Sequence, residues 1–281
     1  MKKYYSLLFA LLAVMAMALV FVSCEKEIDH EDPKPEPKPE SKNQITFTTE
    51  HPVGKTMWVF LKKDERPTEV IGAKEIYGEN PFDGGPVAET ILGLKLEKQT
   101  VIIKGDITYI EFYEPHFTAL DVSKNPILED LRFHNHYKPI ASLDVSKNTA
   151  LTTLICDGCQ LEELDVSKNT ALRVLSCDDN NLTSLDVSNC PELSSLGCFF
   201  NKLTSLDISK NPMLKFLDCR INKINAEEMS KIVNSLPDWS EQAEEGYGRL
   251  IINANSTLDE NEITEEDVKI AEKKNWKVLT F

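Results

Sequence analysis

From residue 107 onward the apolar positions recur on a long fixed step, not on the 3.6-residue period of an amphipathic helix. The tetrapeptide Leu-Asp-Val-Ser begins at Leu120, Leu143, Leu164 and Leu185. It returns as Leu-Asp-Ile-Ser at Leu206, giving steps of 23, 21, 21 and 21 residues. A second motif, Leu-x-x-Leu-x-Cys-x-x-Asn-x-Leu, fills the intervals. Its clearest copies are Leu172, Leu175, Cys177, Asn180, Leu182 and Leu193, Leu196, Cys198, Asn201, Leu203. Leu214, Leu217, Cys219, Asn222 and Ile224 follow the same form, and the copy from Leu151 through Leu154, Cys156 and Leu161 carries Cys159 in the Asn slot. Leu128, Leu131 and Phe133 open an earlier copy, which two extra residues near Lys138-Pro139 interrupt, leaving His136 in its Asn slot. Ile107, Ile110, Phe112, Pro115, Phe117 and Leu120 keep the frame with aromatics in place of small residues. A last copy, Leu250-Ile251-Ile252-Asn253-Ala254-Asn255, stands 33 residues after Leu217.

A pattern of this period predicts a coil in which each turn adds one short strand to a parallel sheet. Leu and Cys side chains point inward and bury only against neighbouring turns. Seven such strands make six steps, roughly 29 Å at about 4.8 Å each. The frame is that of a leucine-rich repeat. It resembles the internalin type of 21-residue repeat with a cysteine ladder, and the repeats of Bacteroidetes surface lipoproteins, over about residues 101–281. The resemblance implies an adhesin, or a protein- or glycan-binding surface protein. The expected fold is an α/β solenoid with little helix in the repeats, a small N-terminal β module and an αβ C-terminal cap.

The flanks supply the closures that a solenoid needs at its apolar ends. Asn225 predicts a helix N-cap with Glu228 at N3, and Ile224 and Met229 form a hydrophobic staple. Met229, Ile232, Val233 and Leu236 make one apolar face, which Pro237 ends. A second helix is expected from Thr264 with Asp267 at N3, and Trp276–Phe281 reads as a closing strand. Upstream, Ile45, Phe47 and Thr49 alternate, as do Trp58 and Phe60, and residues 100–104 form a short apolar run. The divisions are therefore 44–105 for the β module, 106–222 for the repeats and 223–281 for the cap.

The N-terminus reads as an address. Lys2 and Lys3 precede an apolar run from Tyr4 to Val22, which ends in Phe21-Val22-Ser23-Cys24. This is the grammar of a secretory signal peptide over residues 1–23. Cys24 after a small residue resembles the lipobox of bacterial lipoproteins, which implies lipidation of Cys24, although Phe21 stands where that motif usually has Leu. An uncleaved membrane helix is the competing reading, because the run approaches the length of a bilayer span. Residues 24–43 then alternate acids, lysines and prolines, a polyproline-II-like stalk reaching roughly 50–60 Å at about 3.1 Å per residue. An acidic stretch after the lipid Cys also resembles the surface-export signal of Bacteroidetes-type lipoproteins, so the expected location is the outer membrane, lipid-anchored and exposed at the cell surface.

Charge narrows the partners. The 31 basic residues less Lys2 and Lys3 leave 29 against 46 acids, a net charge of −17 for the mature chain. Phosphate backbones are repelled, which argues against nucleic acid. A monomer that takes a protein or glycan ligand is expected, with no cofactor; the alternatives to adhesion are a glycan-capture accessory lipoprotein of a nutrient-uptake system and a structural envelope protein.

Catalytic motifs do not appear. The histidines His30, His51, His116, His134 and His136 sit in no zinc-protease motif, and there is no nucleophile elbow or phosphate loop. The protein therefore reads as a binding protein, not an enzyme. Cys156-Asp157-Gly158-Cys159 has redox or zinc spacing, but both cysteines fall on repeat slots and read as core. The acids Asp121, Asp144, Asp165, Asp186 and Asp207 read as turn caps. Asp157, Asp178 and Asp179 face outward on neighbouring turns, where a weak cation site is the alternative. Strand alternation puts three columns on the concave face. One reads Tyr113, His134, Asp157, Asp178, Phe199, Arg220. A second reads Tyr109, Asp130, Thr153, Val174, Ser195, Phe216, and between them run Glu111, Arg132, Ile155, Ser176, Gly197 and Asp218. The expected ligand site takes Tyr109, Glu111, Tyr113, Arg132, His134, Asp157, Asp178, Phe199, Phe200, Phe216 and Arg220, with Phe199 and Phe216 expected roughly 5–8 Å apart. Tyr109, Glu111 and Tyr113 could supply a glycan platform. A C-terminal segment folded over the phenylalanines is the competing expectation.

Overall fold

A computed structural model describes residues 41–62, 64–76, 89–135, 138–241, 248–252 and 260–279. Residues 40–281 form one compact unit. The signal peptide, Cys24 and most of the stalk lie outside the described residues, as do His136 and Asn253–Asn255.

The chain is a leucine-rich-repeat solenoid. Seven strands stand where the repeat frame predicts them: β7 (Tyr109–Tyr113), β9 (Asp130–His134), β10 (Thr153–Asp157), β11 (Val174–Ser176), β12 (Ser195–Gly197), β13 (Phe216–Asp218) and β14 (Gly248–Ile251). They pair in parallel in chain order, with Leu131, Leu154, Leu175, Leu196, Leu217 and Leu250 in one register row. The closing strand, β15 (Trp276–Leu279), adds an eighth parallel strand beside β14.

At the other end the sheet does not stop at the repeats. The upstream segment contributes β1 (Gln44–Thr49), β2 (Thr56–Lys62), β3 (Glu69–Ile71), β4 (Ala73–Ile76), β5 (Glu89–Leu96) and β6 (Thr100–Lys104). Of these, β2 pairs antiparallel with β7, and β5 and β4 follow, so eleven strands form one sheet. A second, four-stranded sheet has the order β3-β6-β1-β8, where β8 (Phe117–Asp121) belongs to the first repeat turn. Phe47, Phe112, Phe117 and Phe133 fill the space between the two sheets, with ring centroids 4.9–5.7 Å apart. Phe112 and Phe133 occupy the column that further along is Cys156, Cys177, Cys198 and Cys219. A ring fills the two-sheet end and a thiol the narrower turns.

All six described cysteines are free and buried. Burial raises the thiols of Cys156, Cys177 and Cys198 well above their ordinary pKa, which marks them as core groups, and Cys219 is buried in the same column. Cys159, pushed up chiefly by burial, is core as well.

Two asparagine ladders stitch turn to turn. Asn201 accepts the Leu182 N–H at 3.0 Å and donates to the Cys177 and Cys198 carbonyls at 2.9 and 3.1 Å. Asn180 and Asn222 repeat this pattern. In the turn that carries the insertion the slot is taken by Asn135 and not by His136: Asn135 is fully buried, accepts the Phe117 N–H at 2.7 Å and donates to Phe117 and Lys138. The second ladder runs through Asn125, Asn148, Asn169 and Asn211, each donating to carbonyls of the preceding turn, with Cys190 in the fourth position. The Asp column caps turns as expected: Asp121, Asp144, Asp165, Asp186 and Asp207 each accept the N–H of the Ser two residues on, at 2.8–2.9 Å.

The C-terminal cap uses the predicted signals. Helix α1 (Ala226–Ser235) is capped by Asn225, which accepts the Glu228 N–H, and α2 (Glu265–Lys273) opens with a capping box between Thr264 and Asp267. Lys274 closes α1 from outside by donating to the Asn234 and Leu236 carbonyls at 2.6 and 3.0 Å. Trp276 packs on Gly248, where a Cβ would lie 2.3 Å from the indole ring, so only glycine fits at that crossing.

Candidate functional site

The inward positions of the parallel strands repeat, and the outward positions do not. One outward row crosses the sheet as Tyr113, His134, Asp157, Asp178, Phe199 and Arg220. The register pairs Asp157 with His134, and the row continues into the antiparallel strands because Trp58 of β2 pairs with Tyr113. Trp58 is a residue that strand alternation alone cannot place. Its alternation with Phe60 was visible in the sequence, but neither the side it faces nor the antiparallel pairing of β2 with β7 was. Gly93 of β5 pairs with Trp58, and a Cβ there would come within 2.9 Å of the indole.

At the centre of the row the acids are engaged with the backbone of the next strand. Asp157 is buried; it accepts the Ser176 hydroxyl at 2.8 Å and the Asp178 N–H at 3.0 Å, and its other oxygen lies 3.1 Å from His134 Nδ1. Asp178 in turn accepts the Phe199 N–H at 2.8 Å. Gly197 leaves room for this carboxylate, since a Cβ would sit 2.9 Å from Asp178 Oδ1. Burial, reinforced by the Asp157 charge, raises Asp178 to about 7. The hydrogen bond to Asp157 raises the pKa of His134. These bonds explain the two acids without a metal, and among the described residues no group of three or more His, Cys, Asp or Glu is arranged to hold one.

At the far end, the Arg220 guanidinium lies 4.9 Å from the Phe199 ring centre and bonds the buried Asp218, at 2.6 Å for its shortest contact. Phe199 and Phe200 form a tilted pair with centroids 6.0 Å apart. Phe200 is 41% exposed, so this ring is not covered by the C-terminal segment. Its backbone is left-handed at φ 54°, in a column with Gly158, Asp179 and Ile221 at 66°, 54° and 50°. A Cβ at such a position costs backbone strain. Together His134, Asp157, Asp178, Asp179, Phe199 and Phe200 line a hollow of about 450 Å³.

Phe216 does not join them. It pairs with Ser195, four residues before Phe199, so the two rings stand about 13 Å apart along the strand at ~3.3 Å per residue, and not 5–8 Å. The expected patch therefore divides: Phe216 belongs with Ser195 and Arg249, and Phe199 with Phe200 and Arg220.

The residues at the first repeat are bound to one another. Tyr109 Oη donates to Glu111 at 2.7 Å, and Arg132 makes a bidentate pair with Asp130 at 2.7 Å while its guanidinium lies 5.4 Å from the Tyr109 ring centre. Tyr113 is 46% exposed and stands apart from this cluster. It shares a smaller hollow of about 200 Å³ with His51, Trp58 and Glu114.

No protein-family model matches the chain and no curated protein matches it. Among solved structures, the functional domain of InlJ from Listeria monocytogenes, described as including a cysteine ladder, is similar at 26% identity with a TM-score of 0.42. That likeness covers 56% of this chain and 40% of the other. Internalin C2 and internalin InlF from the same organism are each 17% identical, with TM-scores of 0.40 and 0.31, covering 57% of this chain and 63% of theirs. The chain thus spans less than two thirds of the length of each.

Proposed function

We propose that this protein is a cell-surface lipoprotein, anchored through Cys24, that binds a protein ligand on the outer face of its solenoid sheet and catalyses no reaction. One observation carries the reading. Across the sheet whose repeat strands bury apolar side chains in fixed rows, the outward row presents tryptophan, tyrosine, histidine, acids, phenylalanine and arginine, with Phe200 held exposed in left-handed backbone. Aromatic and arginine side chains on a rigid scaffold are the groups that dominate protein interfaces, and sheet faces of solenoids are extended binding surfaces. The internal bonding of Tyr109 with Glu111 leaves a glycan platform there less support.

The test is a pull-down from host extracellular matrix beside a glycan array. The expected outcome is one saturable protein partner that Phe199→Ala no longer captures, with a silent array. Equal capture by wild type and variant overturns the reading. For the anchor, Cys24→Ala is expected to abolish lipid labelling and membrane retention, and retention at wild-type level overturns it.

A further inference from the structure

We infer that the hollow between His134 and Phe200 takes a cationic side chain, lysine or arginine, of the protein partner, an inference that rests on the binding role proposed above. The walls carry the argument. Two other acids of the face are already engaged: Asp157 lies 3.1 Å from His134 Nδ1, and Asp218 pairs with Arg220. The acid between them, Asp178, accepts the Phe199 N–H and has the Ser176 hydroxyl beside it, and among the described residues no ion pair reaches it. Two aromatic rings, Phe199 and Phe200, stand beside that carboxylate. Arg220 shows that the Phe199 ring accepts a guanidinium on its β13 side; the hollow lies on its other side, toward β11. A carboxylate beside aromatic faces is the chemistry that recognises an ammonium or guanidinium, by ion pairing and cation–π attraction together.

The electrostatics agree. Asp178 is raised by its burial and by Asp157, which is the condition of an acid lacking a counter-charge, and a cation placed between them relieves that repulsion. The chain as a whole carries a net charge of −15, so a basic partner is drawn to it at long range. An acidic or neutral side chain in the same hollow would leave Asp178 unmatched. Asp179 and Phe200, both in left-handed backbone, also line the hollow.

The probes are methylguanidinium and methylammonium chloride, with N-methylurea as the uncharged relative, titrated into ¹⁵N-labelled residues 40–281, the compact unit. At pH 8, where Asp178 is ionised, both cations are expected to move the Phe199, Phe200 and Asp179 amide resonances saturably. N-methylurea should not. Asp178→Asn and Phe200→Ala should each weaken the cations at least tenfold; Phe200 is exposed, so its variant tests the site without disturbing the core. Asp165→Asn removes the same charge from an exposed turn and should change nothing. Shifts spread equally over the Asp165, Asp186 and Asp207 turns, or unchanged in both site variants, overturn the inference. Failure here with capture of a protein partner intact removes the cation subsite alone; loss of capture removes the binding face itself.

Discussion

Alternate positions of the same short strands follow two different rules. The inward set is nearly invariant along the solenoid: Leu154, Leu175, Leu196 and Leu217 in one row, and Cys156, Cys177, Cys198 and Cys219 in the next, all fully buried. The outward set varies along the row, from Tyr113 through two aspartates to Arg220. An inward side chain meets the same neighbours at every turn, so one solution serves throughout. An outward side chain meets different neighbours from turn to turn, so no single solution is imposed on it. Repetition along the chain therefore separates what builds the molecule from what it presents.

The largest effects should follow from breaking the inward set. Asn201→Ala removes its bonds to the Leu182 N–H and to the Cys177 and Cys198 carbonyls; the carbonyls keep Asn180 and Asn222, but the Leu182 N–H is left buried without a partner. At about 1 kcal/mol for each bond, with a further desolvation cost for the orphaned N–H, the expected loss is about 4 kcal/mol. The melting temperature should fall by roughly 10 °C. A fall below 3 °C would mean that the ladder is easily replaced by water.

That contrast also explains what the sequence made legible. The register of the parallel strands, both helix caps and the turn-capping aspartates follow from local spacing, so the period and the cap signals located them. The antiparallel pairing of β2 with β7 depends on contacts between residues far apart in sequence, and nothing local announces it. The row position of Trp58 was hidden for that reason. Phe199 and Phe216 lie close in a list of outward residues, but β12 and β13 pair Phe216 with Ser195, and only the register shows the separation. Asn135 replaced His136 because an insertion shifts a count without shifting the hydrogen bond that the slot must make.

The second effect falls on binding and separates the two phenylalanines. Phe199→Ala is expected to weaken partner binding by about 2 kcal/mol, roughly 30-fold, with the melting temperature within a few degrees of wild type. Phe216→Ala, on a different row, should stay within threefold. Equal losses would restore a single broad patch and remove the significance of the register.

Next comes a pH effect centred on Asp178. Its folded pKa of about 7 lies above the ordinary 3.8, so the folded state holds the proton more tightly than the unfolded one. The stability this supplies is present below pH ~4 and is lost as pH rises through 7. The raised His134 adds a loss in the same direction. Asp178→Asn keeps an oxygen for the Phe199 N–H and removes the charge. At pH 8 it should stabilise the protein by about 1–2 kcal/mol after allowing for solvent screening, and at pH 4 by far less. Melting curves of both proteins across that range check the sign; a variant that gains equally at both values shows that charge is not the cause.

The smallest effect bears most directly on the comparison, because it concerns an outward residue that the fold would not choose. Phe200 sits in a left-handed column whose member two turns back is Gly158. In ordinary loop backbone, alanine is more stable than glycine by up to ~1 kcal/mol, since glycine has more freedom to lose on folding. At a left-handed position the order inverts, because a Cβ there costs roughly 1–2 kcal/mol. Phe200→Gly should therefore be more stable than Phe200→Ala by about 0.5–1 kcal/mol, while both lose the partner contacts of the ring. Measured against each other, the two variants cancel the lost Phe199–Phe200 contact and report the backbone alone. An alanine variant as stable as the glycine one would mean that the backbone at residue 200 relaxes when the ring is gone, so that the ring holds the left-handed turn and not the reverse.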